Sequence, residues 1–341
     1  MSPAAQFILF SAIKIVCVFA VVMGGVSYSV LAERKISAFI QDRIGPNRVG
    51  PFGLLQPIAD GVKAFLKEDF TPSHVRKSYF WLAPMVTMIP SLLVLAVIPF
   101  GSQLGHQKMV IADLNVGILY TFGIVSLGVY GIVLAGYASN SKYPFLGGIR
   151  SSAQMISYEI AMGMSVIPVF LIVGDLNLSQ VIAHQAAHGW LILYAPISFV
   201  IFLISSFAET NRLPFDLPES EQELVAGYNT EYSSMKFALF FMGEYTNMIA
   251  ASAMMVTLFL GGWTLPFAGL DKPAQSIGIG ILQIVIFLAK VAAFMGTFIW
   301  VRWMWPRFRY DQLMDLGWRR FLPLALVNIL ATAIYLVFYH A

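Results

Sequence analysis

Charged residues are scarce in this chain. Asp, Glu, Lys and Arg make up 11% of the 341 residues, whereas a typical soluble domain has about 25%. Apolar residues reach 58%, and the mean hydropathy is +0.74. The composition excludes a soluble globular protein and predicts an integral membrane protein. Because apolar runs of about 20 residues recur along the whole chain, the membrane spans are predicted to be helices and not barrel strands.

Residues that bind metals and redox cofactors are also few. The only cysteine is Cys17, and a single thiol cannot hold an iron–sulfur cluster or a tetrahedral zinc ion. His184 and His188 are four residues apart, but without a metalloprotease carboxylate they are predicted to be a surface pair. The sequence contains no phosphate-binding glycine loop, no nucleophile elbow and no pair of heme-ligating histidines within a span. We therefore expect no redox centre in this chain, which could not oxidise or reduce a substrate unaided.

The apolar runs predict an all-α bundle of about eight transmembrane helices, with amphipathic interfacial helices, in a single membrane domain over residues 1–341. The predicted spans are 7–32, 80–100, 116–138, 153–173, 190–208, 236–265, 275–305 and 321–339. The first run lacks the basic region of a cleavable signal peptide and is too long for one. No internal repeat is evident, which argues against a transporter built from inverted halves.

Basic residues predict the orientation of the bundle. Connections 1, 3, 5 and 7 between the spans hold 15 Lys and Arg residues, whereas connections 2, 4 and 6 hold two. Since positive residues favour the cytoplasmic side, the odd connections are predicted to be cytoplasmic and both termini periplasmic.

The first connection, residues 33–79, is basic and rich in turn-forming residues. It opens with Glu33, Arg34 and Lys35, continues through the turn-rich stretch QDRIGPNRVGPFG, and ends in an amphipathic stretch, LLQPIADGVKAFLKEDFTP. The amphipathic stretch is predicted to form a helix that lies in the membrane interface or packs on a partner subunit. Arg34, Arg43 and Arg48 predict a rigid cationic loop that could pair with acids, bind lipid head groups or dock a partner.

The connection 208–235 is the most acidic part of the chain. It holds six of the 18 acids, namely Glu209, Asp216, Glu219, Glu221, Glu223 and Glu231. Asp216, Pro218 and Glu219 resemble a helix start, so one interpretation is that these acids only cap and solubilise a helix. Arg212 is the only local counter-charge. We therefore expect another segment or another protein to meet this charge, and the eight cations of the first connection could supply it.

Glu159, Glu244 and Lys290 are ionisable residues well inside predicted spans. A lone charge at mid-bilayer costs roughly 2.5–3.5 kcal/mol on insertion scales, so such residues usually face the bundle interior and have a function. One interpretation is a proton relay with the acids of the 208–235 connection. The alternative is a structural buried pair, Glu244 with Lys290. Lys14, near the outer end of the first span, is expected to snorkel to the interface.

Two long motifs carry a resemblance to a known family. GPNRVGPFGLLQPIADGVKAFLKED and AETNRLPFDLPESEQELVAGYNTEYSSMKFALFFMGEY resemble the signatures of the H subunit of proton-pumping NADH–quinone oxidoreductase, respiratory complex I. The mitochondrial counterpart of that subunit is the first of the organelle-encoded subunits. The similarity runs along the whole chain and includes SYE at 157–159, GGW at 261–263 and RYDQLMDLGW at 309–318.

The resemblance implies a subunit at the heel of the complex, where the hydrophilic arm meets the membrane arm, that lines a chamber entered by quinone from the bilayer. The chamber residues expected here are Arg34, Phe39, Arg43, Arg48, Phe52, Asp60, Arg212 and Phe215. The residues expected to relay protons or couple the reaction are Glu159, Glu209, Asp216, Glu219, Glu221, Glu223, Glu231, Glu244 and Lys290. Quinone reduction is expected to change the charge or protonation of these acids and to pass an electrostatic change along the membrane arm.

The resemblance also implies partners and a location. FMN and iron–sulfur clusters are expected in partner subunits, and the partners are the quinone-module subunits of the hydrophilic arm, small membrane-arm subunits, quinone and lipid, with no nucleic acid. The expected location is the bacterial inner membrane and the expected class is a translocase, EC 7.1.1.-. The sequence leaves open whether the quinone is ubiquinone or menaquinone.

Three other functions remain open at this point. The first is the equivalent subunit of a membrane-bound hydrogenase or ferredoxin-linked complex that uses no quinone. The second is a stand-alone cation transporter, which would move ions when reconstituted alone. The third is a passive docking subunit, whose acids would tolerate neutralisation.

Overall fold

A computed structural model describes residues 3–105, 107–217, 225–266 and 269–340, which are mostly helical. The α-helices of these residues are α1 Pro3–Ile40, α2 Gln56–Leu66, α3 Lys77–Val94, α4 Gly117–Ala138, α5 Lys142–Val173, α6 Leu178–His188, α7 Pro196–Glu209, α8 Ser234–Phe259, α9 Ile277–Met304, α10 Tyr310–Asp315 and α11 Leu322–His340. The shorter elements are 3-10 turns at Pro51–Gly53, Leu95–Val97 and Gly227–Asn229, a π-helical turn at Leu316–Phe321, and an antiparallel hairpin of β1 Gln103–Leu104 and β2 Gln107–Lys108.

Six helical stretches of the described residues are long and apolar enough to cross a membrane. They are Ala5–Ile40, Lys77–Val97, Gly117–Ala138, Lys142–Val173, Ile277–Met304 and Tyr310–Phe338. The helices α7 and α8 occupy the other two predicted spans. With 14 residues, α7 is about 21 Å long, shorter than the roughly 30 Å of a bilayer core. The helical membrane protein is therefore confirmed, whereas the count of eight spans and the periplasmic termini stay predictions.

The helix α1 is longer than predicted, and this corrects the start of the first connection. The charged triplet at 33–35 suggested that the helix ends near residue 32, but α1 continues to Ile40. Glu33 is buried and forms ion pairs with Arg212 and Arg302. Because its charge is neutralised inside the protein, the helix does not have to end where the charges begin.

The helix α5 also starts earlier than predicted, at Lys142 instead of residue 153. Pro144 lies in the first turn of the helix, where no intrahelical hydrogen bond from its nitrogen is needed. Gly147 allows close contact with the turn at Gly227, since a Cβ on Gly147 would lie 2.8 Å from the Gly227 Cα atom. The stretch 142–152, which lies before the predicted fourth span, is therefore helical.

A helix that was not predicted, α6, lies between α5 and α7. The Asn177 side chain caps α6 by accepting hydrogen bonds from the backbone N–H groups of Ser179, at 2.7 Å, and Gln180. The following helix, α7, begins at Pro196 and not at residue 190. An N-cap asparagine followed by Leu178 was the sequence signal that could have predicted α6.

The core lies between α4, α5, α7 and α8. Its largest fully buried side chains include Tyr158 on α5, Ile201 on α7, and Met255 and Phe259 on α8. The helix α1 is mostly exposed, with large apolar side chains along its length, such as Phe7, as expected for a helix that faces lipid.

Candidate functional site: a buried charge cluster

Five residues from four separate segments meet at one end of the bundle. They are Glu33 near the end of α1, Arg212 just after α7, Glu244 and Tyr245 on α8, and Arg302 in the last turn of α9. We call this group the charge cluster. Packing of α1 and α9 beside α8 brings these side chains together, although up to 269 residues separate them in sequence.

Arg212 lies at the centre of the charge cluster. Its Nη1 atom is 3.2 Å from both carboxylate oxygens of Glu33, and its Nε atom is 2.6 Å from Oε1 of Glu244. The guanidinium also lies over the ring of Tyr245, 4.4 Å from its centroid. Tyr245 in turn donates a hydrogen bond of 2.5 Å to Oε2 of Glu33, and Arg302 forms an ion pair with Oε1 of the same carboxylate. Each charge of the cluster is thus met by at least one opposite charge.

The charge cluster is electrically balanced and has a buried centre, whereas Glu244 and Arg302 are half-buried. Glu33 and Arg212 are only 8% and 7% exposed, and the two carboxylates are matched by two guanidiniums. Burial alone lowers the pKa of Arg212, but the nearby charges of Glu244 and Glu33 outweigh this effect. The pKa of Arg212 is therefore raised above its ordinary value, and the side chain stays charged.

A second ion pair lies beside the charge cluster. Asp216 Oδ2 is 2.9 Å from Arg307 Nη2, and the two residues come from the segments after α7 and after α9. The segments are also joined by a hydrogen bond of 3.1 Å from Phe308 N–H to the Pro214 carbonyl. Burial raises the pKa of Asp216, and Arg307 offsets this only in part. Asp216 is thus a carboxyl group that takes up a proton more readily than an ordinary aspartate.

The segment that carries Arg212 and Asp216 is fixed to α5 by Gln154. This fully buried amide donates hydrogen bonds of 2.7 Å to the Ala208 carbonyl and 2.8 Å to the Phe215 carbonyl. The ring of Phe215 also packs against Tyr158 of α5, with ring centroids 5.4 Å apart. A displacement of the 210–217 segment would therefore be transmitted to α5 next to Glu159.

Two acids lie deeper in the bundle. Glu209, at the end of α7, is buried and lines a cavity of about 30 Å³ together with Thr121, Met162 and Asn247. Glu159 is half-buried on α5, close enough to Glu209 for their charges to repel. It lines a groove of about 880 Å³ along α4 and α5 that opens on the outer surface of the bundle.

The first connection contacts the start of α8. Lys236 forms an ion pair of 2.9 Å with Asp69 and donates a hydrogen bond of 2.7 Å to the Thr71 hydroxyl. Glu231 lies 3.9 Å from the His74 ring nitrogen. Glu231 therefore contacts the first connection through His74, which is not one of its eight Lys and Arg residues, and the partner of Asp216 comes from the segment after α9. That the eight cations meet the acidic segment stays a prediction.

The predicted chamber residues fall into two groups. Arg212 and Phe215 are buried. The remaining six lie at the C-terminal end of α1 and in the first connection, and all are exposed or half-buried: Arg34, Phe39, Arg43, Arg48, Phe52 and Asp60. The rings of Phe39 and Phe52 are 84% and 80% exposed. The described part of the chain therefore does not enclose these eight residues in one cavity.

Local contacts order the first connection. Arg34 on α1 and Asp60 on α2 form an ion pair of 2.7 Å, and Arg43 Nε donates a hydrogen bond of 2.7 Å to the Gln41 side chain. In the glycine-rich motif, Gly53 has a φ of +75°, and a Cβ atom there would overlap the Pro46 carbonyl oxygen. Only glycine fits this turn, which brings the loop back towards α2.

Three predicted acids, Glu219, Glu221 and Glu223, lie outside the described residues, as does the helix start predicted at Pro218 and Glu219. The contacts of Lys290 differ from the predicted ones. Its ammonium donates hydrogen bonds of 2.7, 3.0 and 2.7 Å to the carbonyls of Leu260, Gly262 and Thr264. Leu260 follows Glu244 by 16 residues, about 24 Å along α8. The alternative of a Glu244–Lys290 pair was therefore wrong, since Glu244 pairs with Arg212.

The sequence-based site prediction missed Glu33, Arg302 and Arg307. All three lie at or just after the end of a long apolar run. Charged residues at such positions usually mark the end of a span, so they were not selected as site residues. The available signal was their isolation: Glu33 is the first acid of the chain, and Arg302 is the only charge in the second half of its apolar run.

Comparisons with known proteins agree with this architecture. The family model described as NADH dehydrogenase matches residues 13–333. The H subunit (form 1) of the NADH-quinone oxidoreductase of Geobacter metallireducens is 51% identical over 336 residues, which cover 97% of this chain and 98% of that protein. The H subunit of the Rhodospirillum rubrum enzyme is 52% identical over 315 residues, 92% of this chain and 90% of that protein.

A third relative, the H subunit (form 1) of the NADH-quinone oxidoreductase of Cytophaga hutchinsonii, is 48% identical over 339 residues, which cover 97% of this chain and 98% of that protein. The match extends over nearly all of both chains, so it includes every helix that contributes to the charge cluster. The chain therefore belongs to the NADH dehydrogenase family, whose relatives named here are H subunits of NADH–quinone oxidoreductase.

Proposed function

We propose that this chain is the membrane subunit of a proton-translocating NADH–quinone oxidoreductase that forms the quinone chamber and couples quinone reduction to proton translocation. The main support for the proposal is the charge cluster, which occurs in a chain that belongs to the NADH dehydrogenase family. Its two carboxylates and two guanidiniums balance each other, with Glu33 and Arg212 buried, so a change of one charge nearby alters the energy of the whole group. Two unit charges 4 Å apart interact by about 4 kcal/mol at an effective dielectric constant of 20.

The quinone chamber is completed by partners. Subunits of the hydrophilic arm close the chamber by packing on the first connection. This is supported by the exposed rings of Phe39 and Phe52 and by the Arg34–Asp60 ion pair, which lie on that surface. Arg212 and Phe215 are then the residues at its inner wall. Quinone reduction consumes protons there, and the resulting change in charge acts first on Asp216 and on the charge cluster.

The relay continues through Glu209 and Glu159 towards the membrane arm. Within the described residues no ion pair reaches Glu159, although it lines a groove that opens on the membrane-facing side of α4 and α5. A carboxylate in that position is costly in lipid, so a helix of a small membrane-arm subunit covers the groove. The acids Glu219, Glu221, Glu223 and Glu231 belong to the cytoplasmic entrance of the relay. Lys290 stabilises the C-terminal end of α8 by its hydrogen bonds to backbone carbonyls there.

The complete proposal is a single membrane domain of eight spans, with both termini periplasmic, in the bacterial inner membrane. FMN and the iron–sulfur clusters lie in partner subunits, and this chain holds no redox centre, so the complex and not the chain has the translocase activity EC 7.1.1.-. Ubiquinone or menaquinone is the substrate. The names of the relatives favour this function over a hydrogenase-type complex.

The experiment replaces Glu244 by Gln in the intact complex. We expect quinone-linked turnover and proton translocation to fall at least tenfold, because Arg212 loses one of its two acids. NADH oxidation with a hydrophilic acceptor should not change, since it uses only the hydrophilic arm. The matched control is Asp311→Asn, which removes an exposed carboxylate from a surface ion pair with Arg309.

The outcome separates the alternatives. Normal pumping by Glu244→Gln in an assembled complex would contradict the coupling role and favour a passive docking subunit. Ion transport by the chain reconstituted alone would instead favour a stand-alone transporter.

A further inference from the structure

The helix α2 presents an apolar face that the rest of the described chain does not cover. None of its 11 residues is buried. Ile58, Val62 and Leu66 recur at helical spacing and are 62%, 51% and 81% exposed. With Leu55 they line a groove of about 860 Å³. An exposed apolar surface of this kind marks a site where lipid, a ligand or another protein binds.

The opposite face of α2 is fixed to the protein. Asp60 forms the ion pair with Arg34 of α1, and the Ser234 hydroxyl, at the start of α8, lies 3.0 Å from the carbonyls of Ala64 and Lys67. On a helical projection, Asp60 and Ala64 lie roughly 150° from the centre of the groove. The helix therefore cannot rotate its apolar face inwards without losing these contacts.

Two cations stand at the edge of the groove. Lys63 and Lys67 line it beside the apolar residues, in and just after the last turn of α2. Within the described residues, Asp69 pairs with Lys236 and Glu231 lies near His74, and Glu68, next to Lys67, forms no ion pair with either lysine. The groove thus combines an apolar floor with two lysines that have no ion pair among these residues.

We propose that this groove binds an anionic phospholipid of the cytoplasmic leaflet. An acyl chain lies along Ile58, Val62 and Leu66, and the phosphate is bound by Lys63 and Lys67. The charge of the site selects an anionic head group over a zwitterionic one, since juxtamembrane lysines attract anionic lipid. The lipid would hold α2, and with it the start of α8, at a fixed depth in the membrane. This site is independent of the proposed relay and exists whether or not the relay operates.

The experiment uses photoactivatable phospholipids with the reactive group in the acyl chain, added to the intact complex in detergent. A phosphatidylglycerol probe should label residues 55–67 of the wild type at low concentration. In the Lys63→Gln/Lys67→Gln variant, half-maximal labelling should need roughly 30-fold more probe. A phosphatidylcholine probe should label both proteins equally and weakly.

The matched control is Lys77→Gln/Lys142→Gln, which removes two exposed lysines of the cytoplasmic side outside the groove. It should label like the wild type. A second variant, Ile58→Gln/Val62→Gln, should weaken labelling by both probes. Equal labelling of the wild type and the Lys63→Gln/Lys67→Gln variant would overturn the proposal. So would a wild-type complex in which a partner protein covers α2 and no probe reaches it.

Discussion

Replacement of Glu33 by Gln tests the charge cluster most directly. The change removes one of two carboxylates and leaves Arg212 and Arg302 facing Glu244 alone. Removal of one partner from a buried ion pair costs about 3–5 kcal/mol, because the remaining charge stays buried without compensation. We expect the lower end of this range. Arg302 is 37% exposed along its side chain and can be hydrated, so the cost falls mainly on Arg212.

A loss of about 3 kcal/mol changes a folding or assembly equilibrium by roughly 150-fold. Glu33→Gln should therefore lower the thermal midpoint of the purified complex, reduce its yield on native gels and reduce quinone reductase activity. The matched control for stability is Arg34→Gln, which breaks the exposed ion pair with Asp60 on the same turn of α1. Surface pairs contribute about 0–1 kcal/mol, so this control should match the wild type in thermal midpoint and yield.

The double variant Glu33→Gln/Arg302→Gln supplies the decisive comparison. It restores the charge balance by leaving one carboxylate, Glu244, with one guanidinium, Arg212. We expect it to recover part of the stability that Glu33→Gln loses, a coupling that a double-mutant cycle measures. Our reasoning would be refuted if the two losses were simply additive, or if Glu33→Gln were no less stable than Arg34→Gln.

Two further predictions concern the residues around the cluster. Lys290→Met removes three hydrogen bonds to the carbonyls of Leu260, Gly262 and Thr264. It should destabilise the complex by about 3 kcal/mol, which a thermal melting curve measures. A normal melting curve with abolished pumping would instead indicate that Lys290 carries a proton. Burial raises the pKa of Asp216, so this carboxyl stabilises the fold while it is protonated and loses that contribution as pH rises through the raised value. The wild type should therefore lose thermal stability relative to Asp216→Asn as the pH rises above the ordinary aspartate pKa, and a constant difference between the two melting curves would contradict this sign.

Some features of the site were predictable because they are local. The concentration of acids at 208–235 and the isolated Glu159 and Glu244 are visible in the sequence. The structure places Glu209 in a buried position and Asp216 and Glu244 in half-buried ones. The partners of these acids were not predictable in the same way. Arg212 was known as the only local cation, but its contact with Glu33 joins residues 179 positions apart. Arg307, the partner of Asp216, lies 91 positions away.

The sequence by itself determined the membrane class, the helical character and the approximate positions of the spans, because the length and apolarity of a segment decide whether it can cross a bilayer. It also determined the resemblance to the family, which rests on contiguous motifs. Only the tertiary structure decided that Glu33 belongs to α1 and the charge cluster, that Lys290 binds carbonyls at the end of α8, and that α2 turns its apolar face outwards. These outcomes depend on which helices pack together, since a buried charge is stable only where another segment brings its counter-charge within a few ångströms.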